Sequence, residues 1–300
     1  MKLFTPLAFA CFAGSALGAV VNFDFNYRDA VPSMAPELDP APYTYSGLGA
    51  APDSGANTKW NSVRRNSSNT FSTAGGINTN PVNSGYPTVD SSNTASAVTI
   101  SLTQNNSIGH GRNYGDQELG GAGHGYDNLM GDYLLLSSPA AGTVLQAAGT
   151  IGGLVAGNSY QIYFYGQGAS NGTPTSTSGQ NSLFGITSTL GGTQLYTQQQ
   201  TGWDGVAGGN GTLTEGVEYV KFTATANGSG QIFFTWANVV TGVGGNVDVD
   251  KVAGTGTGSP FAALNAIQVV LVPEPGAAIL GSLGLAGILL RRRRGRQSAE

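Results

Sequence analysis

The chain has 300 residues, of which 47 are glycine and only 10% are charged, with a formal net charge of −4. So little Lys and Glu excludes a fold built on long amphipathic helices, and away from the C-terminus the chain lacks the clustered Lys and Arg that nucleic acid requires. Cys11 is the only cysteine, which excludes disulfides and a thiolate metal centre from everything that follows it.

The chain opens with Met1 and Lys2, a mostly apolar stretch from Leu3 to Leu17, and the small residues of Ala16-Leu17-Gly18. That order is a secretory signal peptide, residues 1–18, with cleavage expected after Gly18 or Ala19 and export through the Sec pathway. Cys11 is not read as a lipid acceptor, because Ala8-Phe9-Ala10 lacks the usual leucine before it. The secreted domain is expected at 19–272. Setting aside Lys2, the five tail arginines, Glu274 and Glu300 leaves 7 basic and 15 acidic residues, so this region is about eight charges negative.

Period-two alternation of aromatic and β-branched residues then predicts strands along the domain. They are Val21 to Tyr27, Ala97 to Leu102, Tyr133 to Leu136, Ser159 to Tyr165, Glu218 to Ala226, Gln231 to Trp236 and Ala266 to Val272. Ala156-Gly157-Asn158 is a tight turn feeding the fourth of these. Residues 30–95 are rich in Pro, Ser, Asn and Gly and are expected to be long irregular loops. No helical pattern lies between successive strands to carry parallel crossovers, so the fold class is all-β: an antiparallel β-sandwich, with a jelly roll as the expected arrangement.

Candidate chemistry is sparse. His110 and His124 sit in Gly-His-Gly triplets with Asp116, Glu118 and Asp127 nearby, the one His/carboxylate cluster for metal or acid–base work, yet the spacing matches no metal motif. No Gly-x-Ser-x-Gly elbow occurs between a strand and a helix. Asp248 and Asp250, two residues apart, share one face if the segment is a strand and are the candidate metal pair, for a structural calcium; the competing reading is a charged edge that resists aggregation. Sugar binding calls for exposed aromatic faces beside amides or carboxylates, and Trp60, Trp203 with Asp204, Tyr86, Tyr114 and Tyr126 stand in polar loop contexts. The same residues can equally anchor small loop cores. No catalytic residue is assigned.

The tail is the most specific segment. Pro273-Glu274-Pro275 is followed by the uncharged Ala277 to Leu290 and then by Arg291 to Arg294 and Arg296. Those 14 apolar-segment residues rise about 21 Å as a helix, short of the roughly 30 Å hydrocarbon core, and the arginines hold the end on the cytoplasmic face. The expected element is a single C-terminal transmembrane helix. Each proline fixes φ and lacks an N–H, so the preceding segment is extended and cannot join that helix.

Pro-Glu-Pro, a short apolar helix and an arginine cluster, in this order at 273–300, resemble the PEP-CTERM sorting signal of Gram-negative bacteria. The resemblance implies that an exosortase, a membrane-embedded cysteine protease, recognises Pro273, Glu274 and Pro275. Ala277 to Leu290 would then anchor the chain transiently in the inner membrane, Arg291, Arg292, Arg293 and Arg294 would form the cytoplasmic stop, and the product would reach the cell surface or extracellular matrix. Ile151 to Tyr165, Val220 to Trp236 and Leu264 to Val272 are similar to the sandwich domains found before such tails, which resemble galactose-binding jelly rolls. Two functions follow as expectations. One is a noncatalytic surface or matrix protein that binds extracellular polysaccharide; the other is a secreted polysaccharide hydrolase or lyase.

Overall fold

A computed structural model of the chain describes residues 19–25, 47, 49–51, 58–63, 77–78, 88–102, 108–112, 127–130, 132–137, 144–167, 182–202, 212–239 and 261–273. Ala19–Leu271 forms one compact unit; Met1–Gly18 and Val272–Glu300 make up another, of which only residues 272–273 are described. In chain order the elements are β1 (Val20–Phe25), β2 (Asn61–Val63), β3 (Ile77–Asn78), β4 (Thr99–Leu102), β5 (Ile108–Arg112), the single turn α1 (Asp127–Met130) and β6 (Asp132–Ser137). They continue with β7 (Gln146–Gly152), β8 (Ser159–Tyr165), β9 (Ser182–Thr187), β10 (Gln199–Gln200), β11 (Tyr219–Thr225), β12 (Ile232–Asn238), β13 (Phe261–Leu264) and β14 (Ala266–Leu271). The protein is mostly antiparallel β-sheet with almost no helix among the described residues.

One sheet runs β11-β8-β14-β1-β2, a second β10-β9-β12-β7-β4-β3, and a smaller one β13-β6-β5. All described strand pairs are antiparallel except β1 with β2. After the β4–β7 pairing, successive long strands change sheet: β7, β9 and β12 lie in the second, β8, β11 and β14 in the first. Two corners where the chain crosses are tied together at one end. Leu154 N–H donates to Gly230 O at 3.0 Å, and the pair Gly157 N–H to Ala226 O and Ala226 N–H to Asn158 O closes the other side. Gly157 and Gly230 take positive φ there, and a Cβ at 230 would lie 2.2 Å from Leu154 O, so the corner needs glycine.

The sheets bury one core between them. Phe164 of β8 stacks on Phe184 of β9 with centroids 5.0 Å apart and meets Phe234 of β12 at 5.1 Å, so aromatic contact crosses from sheet to sheet. Leu134, Leu136, Ala262 and Leu264 of the small sheet join the same cluster. The expected strands at 97–102, 133–136, 159–165, 218–226, 231–236 and 266–272 are all found within a residue or two of their bounds.

Two expectations change. The alternation in β1 suggests a polar face toward water, but all six residues are buried, Asn22 and Asp24 included. The reason lies in residues 30–95, which are not wholly irregular: β2 pairs with β1, and residues 49–51, 58–61 and 88–91 fold over the outer face of the first sheet. Asn61 organises this cover. Its Nδ2 donates to Asn22 O at 2.8 Å and Val89 O at 2.7 Å, and its Oδ1 accepts from Val89 N–H at 2.9 Å. Gln268 Nε2 donates to Asn22 Oδ1 at 2.8 Å, the Tyr165 hydroxyl donates to Gln268 Oε1, and Ala51 N–H reaches the same oxygen at 3.0 Å. Asn22, Asn61 and Gln268 can be buried because backbone groups of the covering loops partner them.

Candidate binding surface

The loops cover only part of that outer face. Among the described residues they leave its β11 edge open, and the alternation of β8 and β11 decides what stands there. Tyr163 lies opposite Lys221 and Tyr165 opposite Tyr219 in the register. Tyr219, half-buried, packs its ring 5.8 Å from that of Tyr163 and 5.7 Å from that of Tyr165. Next along the strand, Lys221 Nζ lies 3.1 Å from Glu215 Oε2, with both side chains more than a third exposed, and 6.0 Å from the Tyr163 ring centroid. Thr223 and Thr225 continue the row into solvent. Gln161 accepts from the Tyr163 hydroxyl at 3.1 Å.

A tight turn places Glu215. Val217 and Glu218 N–H both donate to Thr214 O at 3.1 Å, Gly216 takes φ +84°, and Gly216 N–H donates to Tyr219 O at 2.7 Å. Glu218 is fully buried and accepts from Thr214 N–H at 2.7 Å, so this carboxylate holds the turn and does not face solvent. From the neighbouring sheet, Gln199 Nε2 of β10 donates to Lys221 O at 2.9 Å, which fixes the strand carrying the cation.

The electrostatics follow from this packing. Burial pushes the Tyr163 hydroxyl above its ordinary pKa; Lys221 pulls it down, while Tyr219 and Glu215 add to the rise. Tyr219 is raised by burial and by Glu215, against Lys221. Lys221 is raised, first by its hydrogen bond to Glu215. At neutral pH the surface therefore presents the neutral Tyr219 phenol, backed by the buried Tyr163, and a closed ion pair, a set that can pack on and hydrogen-bond a polar ligand. Glycoside cleavage needs two carboxylates facing the scissile bond. Among the described residues of this surface, only Glu215 faces out.

The residues expected to bind from sequence fall differently. Trp60 is no exposed platform: it is fully buried, edge-on to Tyr165 at 6.2 Å, with Nε1 donating to Gly47 O at 3.5 Å. Its loop folds onto the sheet with Leu129 and Met130 as a second small core, so its surface is spent on packing. Trp203, Asp204, Tyr126, Tyr86 and Tyr114 lie outside the described residues, as do Asp248 and Asp250. His110 is on β5 opposite Leu134, and Asp127 opens α1; His124, Asp116 and Glu118 lie outside the described residues. Among the described residues no group of three His, Cys, Asp or Glu could hold a metal ion. Pro273 is exposed two residues beyond the end of β14, while Glu274, Pro275, Ala277 to Leu290 and Arg291 to Arg294 lie outside the described residues. Among the described residues no helix is long and apolar enough to cross a membrane.

Sequence reasoning missed Tyr163, Tyr219, Lys221 and Glu215 as a set. The signal was present in part, since Tyr219, Lys221 and Thr223 alternate along one predicted strand.

No family model matches the chain, and no curated protein matches it. Among solved structures it is similar to the enzymatically active domain of bacteriophage CBA120 tailspike protein 4, with a TM-score of 0.27 and 12% identity over 59% of this chain. The chain covers 20% of that protein's length. It is also similar to TmCBM61 in complex with β-1,4-galactotriose, with a TM-score of 0.25 and 8% identity over 58% of this chain and 88% of that one. At TM-scores of this size neither likeness bears on what this chain binds.

Proposed function

We propose that this chain is an exported cell-surface or extracellular-matrix protein, sorted by an exosortase through Pro273, Glu274 and Pro275, whose jelly-roll sandwich binds extracellular polysaccharide without cleaving it. The observation that carries the binding reading is the β11 edge: a tyrosine pair, a closed Lys221–Glu215 ion pair and a row of hydroxyls on adjacent strands. The half-buried Tyr219 ring, backed by the buried Tyr163 and Tyr165, offers apolar contact to the C–H face of a sugar, and paired charges with hydroxyls satisfy its oxygens. Support for the sorting reading is the three-part order of the tail, which begins directly after β14. Support for the jelly roll is the repeated change of sheet from β7 to β14. Asp248 and Asp250 are the proposed calcium ligands.

The test is a glycan array with the full chain, with and without calcium, beside polysaccharide degradation assays. Binding that Tyr219→Ala and Lys221→Ala each weaken, without turnover, is the expected result. Turnover of a polysaccharide would transfer the chain to the hydrolase or lyase class, and binding indifferent to both substitutions would remove the β11 edge as its site.

A further inference from the structure

From Tyr133 to Trp203 the sequence contains no Asp, Glu, Lys, Arg or His. This is unexpected in a region about eight charges negative. All the large apolar side chains exposed among the described residues fall inside that stretch: Val144, Val155, Leu190, Leu195 and Tyr196. Three of them share one hairpin, with Leu190 46%, Leu195 55% and Tyr196 46% exposed.

The hairpin is built to hold them out. Thr187 bridges Gln194, but Phe184 pairs with Gln199, so the returning chain carries two more residues than β9 over the same interval. That bulge takes Tyr196 and Thr197 out of the ladder, and with Leu195 all three are exposed. On either side the chain is pinned. Ser188 N–H donates to Thr193 O at 2.9 Å, Gly192 N–H to Thr189 O at 2.9 Å and Leu195 N–H to Ile186 O at 2.8 Å. Gln194 turns inward over Gly185, where a Cβ would lie 2.1 Å from its Oε1, and its Nε2 donates to Thr235 Oγ1 at 2.8 Å. The polar side chain is tucked in and the apolar ones face water, the reverse of an ordinary surface turn.

We propose that this bulged, uncharged edge is a homotypic contact through which two copies of the chain meet at Leu190, Leu195 and Tyr196. Near the axis of a twofold contact each side chain faces its own copy, so any charge there repels itself. An acidic chain can pair with itself at least cost where charge is missing, and the hairpin at 188–197 within that uncharged stretch supplies such a surface. Tyr196 is a lone ring beside two leucines, with no carboxylate in the stretch to bind sugar hydroxyls and no Lys or Arg for an anionic lipid headgroup. Three side chains make a small contact, too weak to hold a dilute dimer, but effective among copies crowded on one surface. The proposal does not rest on glycan binding at the β11 edge.

The test uses the full chain co-expressed with two different epitope tags and chemically crosslinked on intact cells, where a weak contact is still populated, recovering one tag and measuring the other. Wild type should retrieve wild type. A Leu195→Asp chain should retrieve its own kind about tenfold less, and Leu195→Asp paired with Leu195→Lys should recover, because opposite charges then face each other. Circular dichroism checks that each variant is folded, and Leu190→Asp with Leu190→Lys is the second pair if one is not. Equal retrieval in all pairings would assign association to another segment, and no retrieval of wild type, or no recovery in the mixed pair, would overturn the contact. Retrieval that appears only on adding a polysaccharide would make the occupant a glycan and overturn it as well.

Discussion

Gly149 and Phe234 face each other across β7 and β12, and the Phe234 ring occupies the space a side chain at 149 would need: a Cβ there would lie 2.2 Å from the ring. The contact sits inside the core, where Phe234 also meets Phe164 of the opposite sheet. Glycine is required at 149 by close approach, since its φ is not among the positive ones.

Gly149→Ala should therefore destabilise the fold by about 1–3 kcal/mol, through overpacking. Urea unfolding measures this, and Phe234→Leu in the same chain should return part of the loss, giving a coupling that separate sites would not show. Strict additivity of the two substitutions would mean that the ring is free to move aside.

The same pair shows why part of the fold escapes a reading of sequence. β7 reads Gln-Ala-Ala-Gly-Thr-Ile-Gly, small residues with no aromatic alternation, because its partner's ring fills the space its own side chains leave. β9 is buried at every position and so shows no period of two. In β8, β11 and β14 the large side chains belong to the strand itself, and the pattern located them. Burial of Trp60, Asn22 and Asp24 depends on loops folding back from distant positions, which local pattern does not encode. For the candidate surface the alternation of Tyr219 and Lys221 was legible, but the partnership with Glu215 depends on a turn at Gly216.

Asn61→Ala should cost about 2–4 kcal/mol, because it removes the partners of Asn22 O, Val89 O and Val89 N–H together in a sealed site. Trp60→Ala should cost about 3–5 kcal/mol by emptying the second small core. Both are read from denaturant midpoints. A Trp60→Ala chain of wild-type stability would contradict its burial.

Alkali should weaken the fold. Tyr163, Tyr219 and Lys221 all have folded pKa values raised above their ordinary 10.0, 10.0 and 10.5. The folded state thus binds these protons more tightly than the unfolded chain. The stabilisation is fully present below the unfolded values and is lost as pH rises through the folded ones. The urea midpoint should hold steady up to about pH 9 and fall from about pH 10 upward, and Tyr163→Phe should make that fall shallower. An unchanged slope in the variant would show that other groups govern it.

Changing Glu274→Ala, or neutralising Arg291 to Arg294 with glutamine, should trap or misplace the chain if an exosortase reads the tail. Immunoblots of membrane, surface and medium fractions follow it. Normal release of both variants would sink the sorting reading.

β14 lies between β8 and β1 in the middle of its sheet, although it is the last of the described strands. Until Ala266–Leu271 has been made and delivered, β1 lacks its antiparallel neighbour and β8 pairs on one side only. Closure joins Val20 to Val270 across almost the whole sequence, a loop whose entropy is met late. The domain can therefore become a finished fold only when the residues adjoining Pro273 arrive. An incomplete chain would carry neither a closed sheet nor the segment that follows it, so completion of the sandwich and availability of the tail are coupled in time.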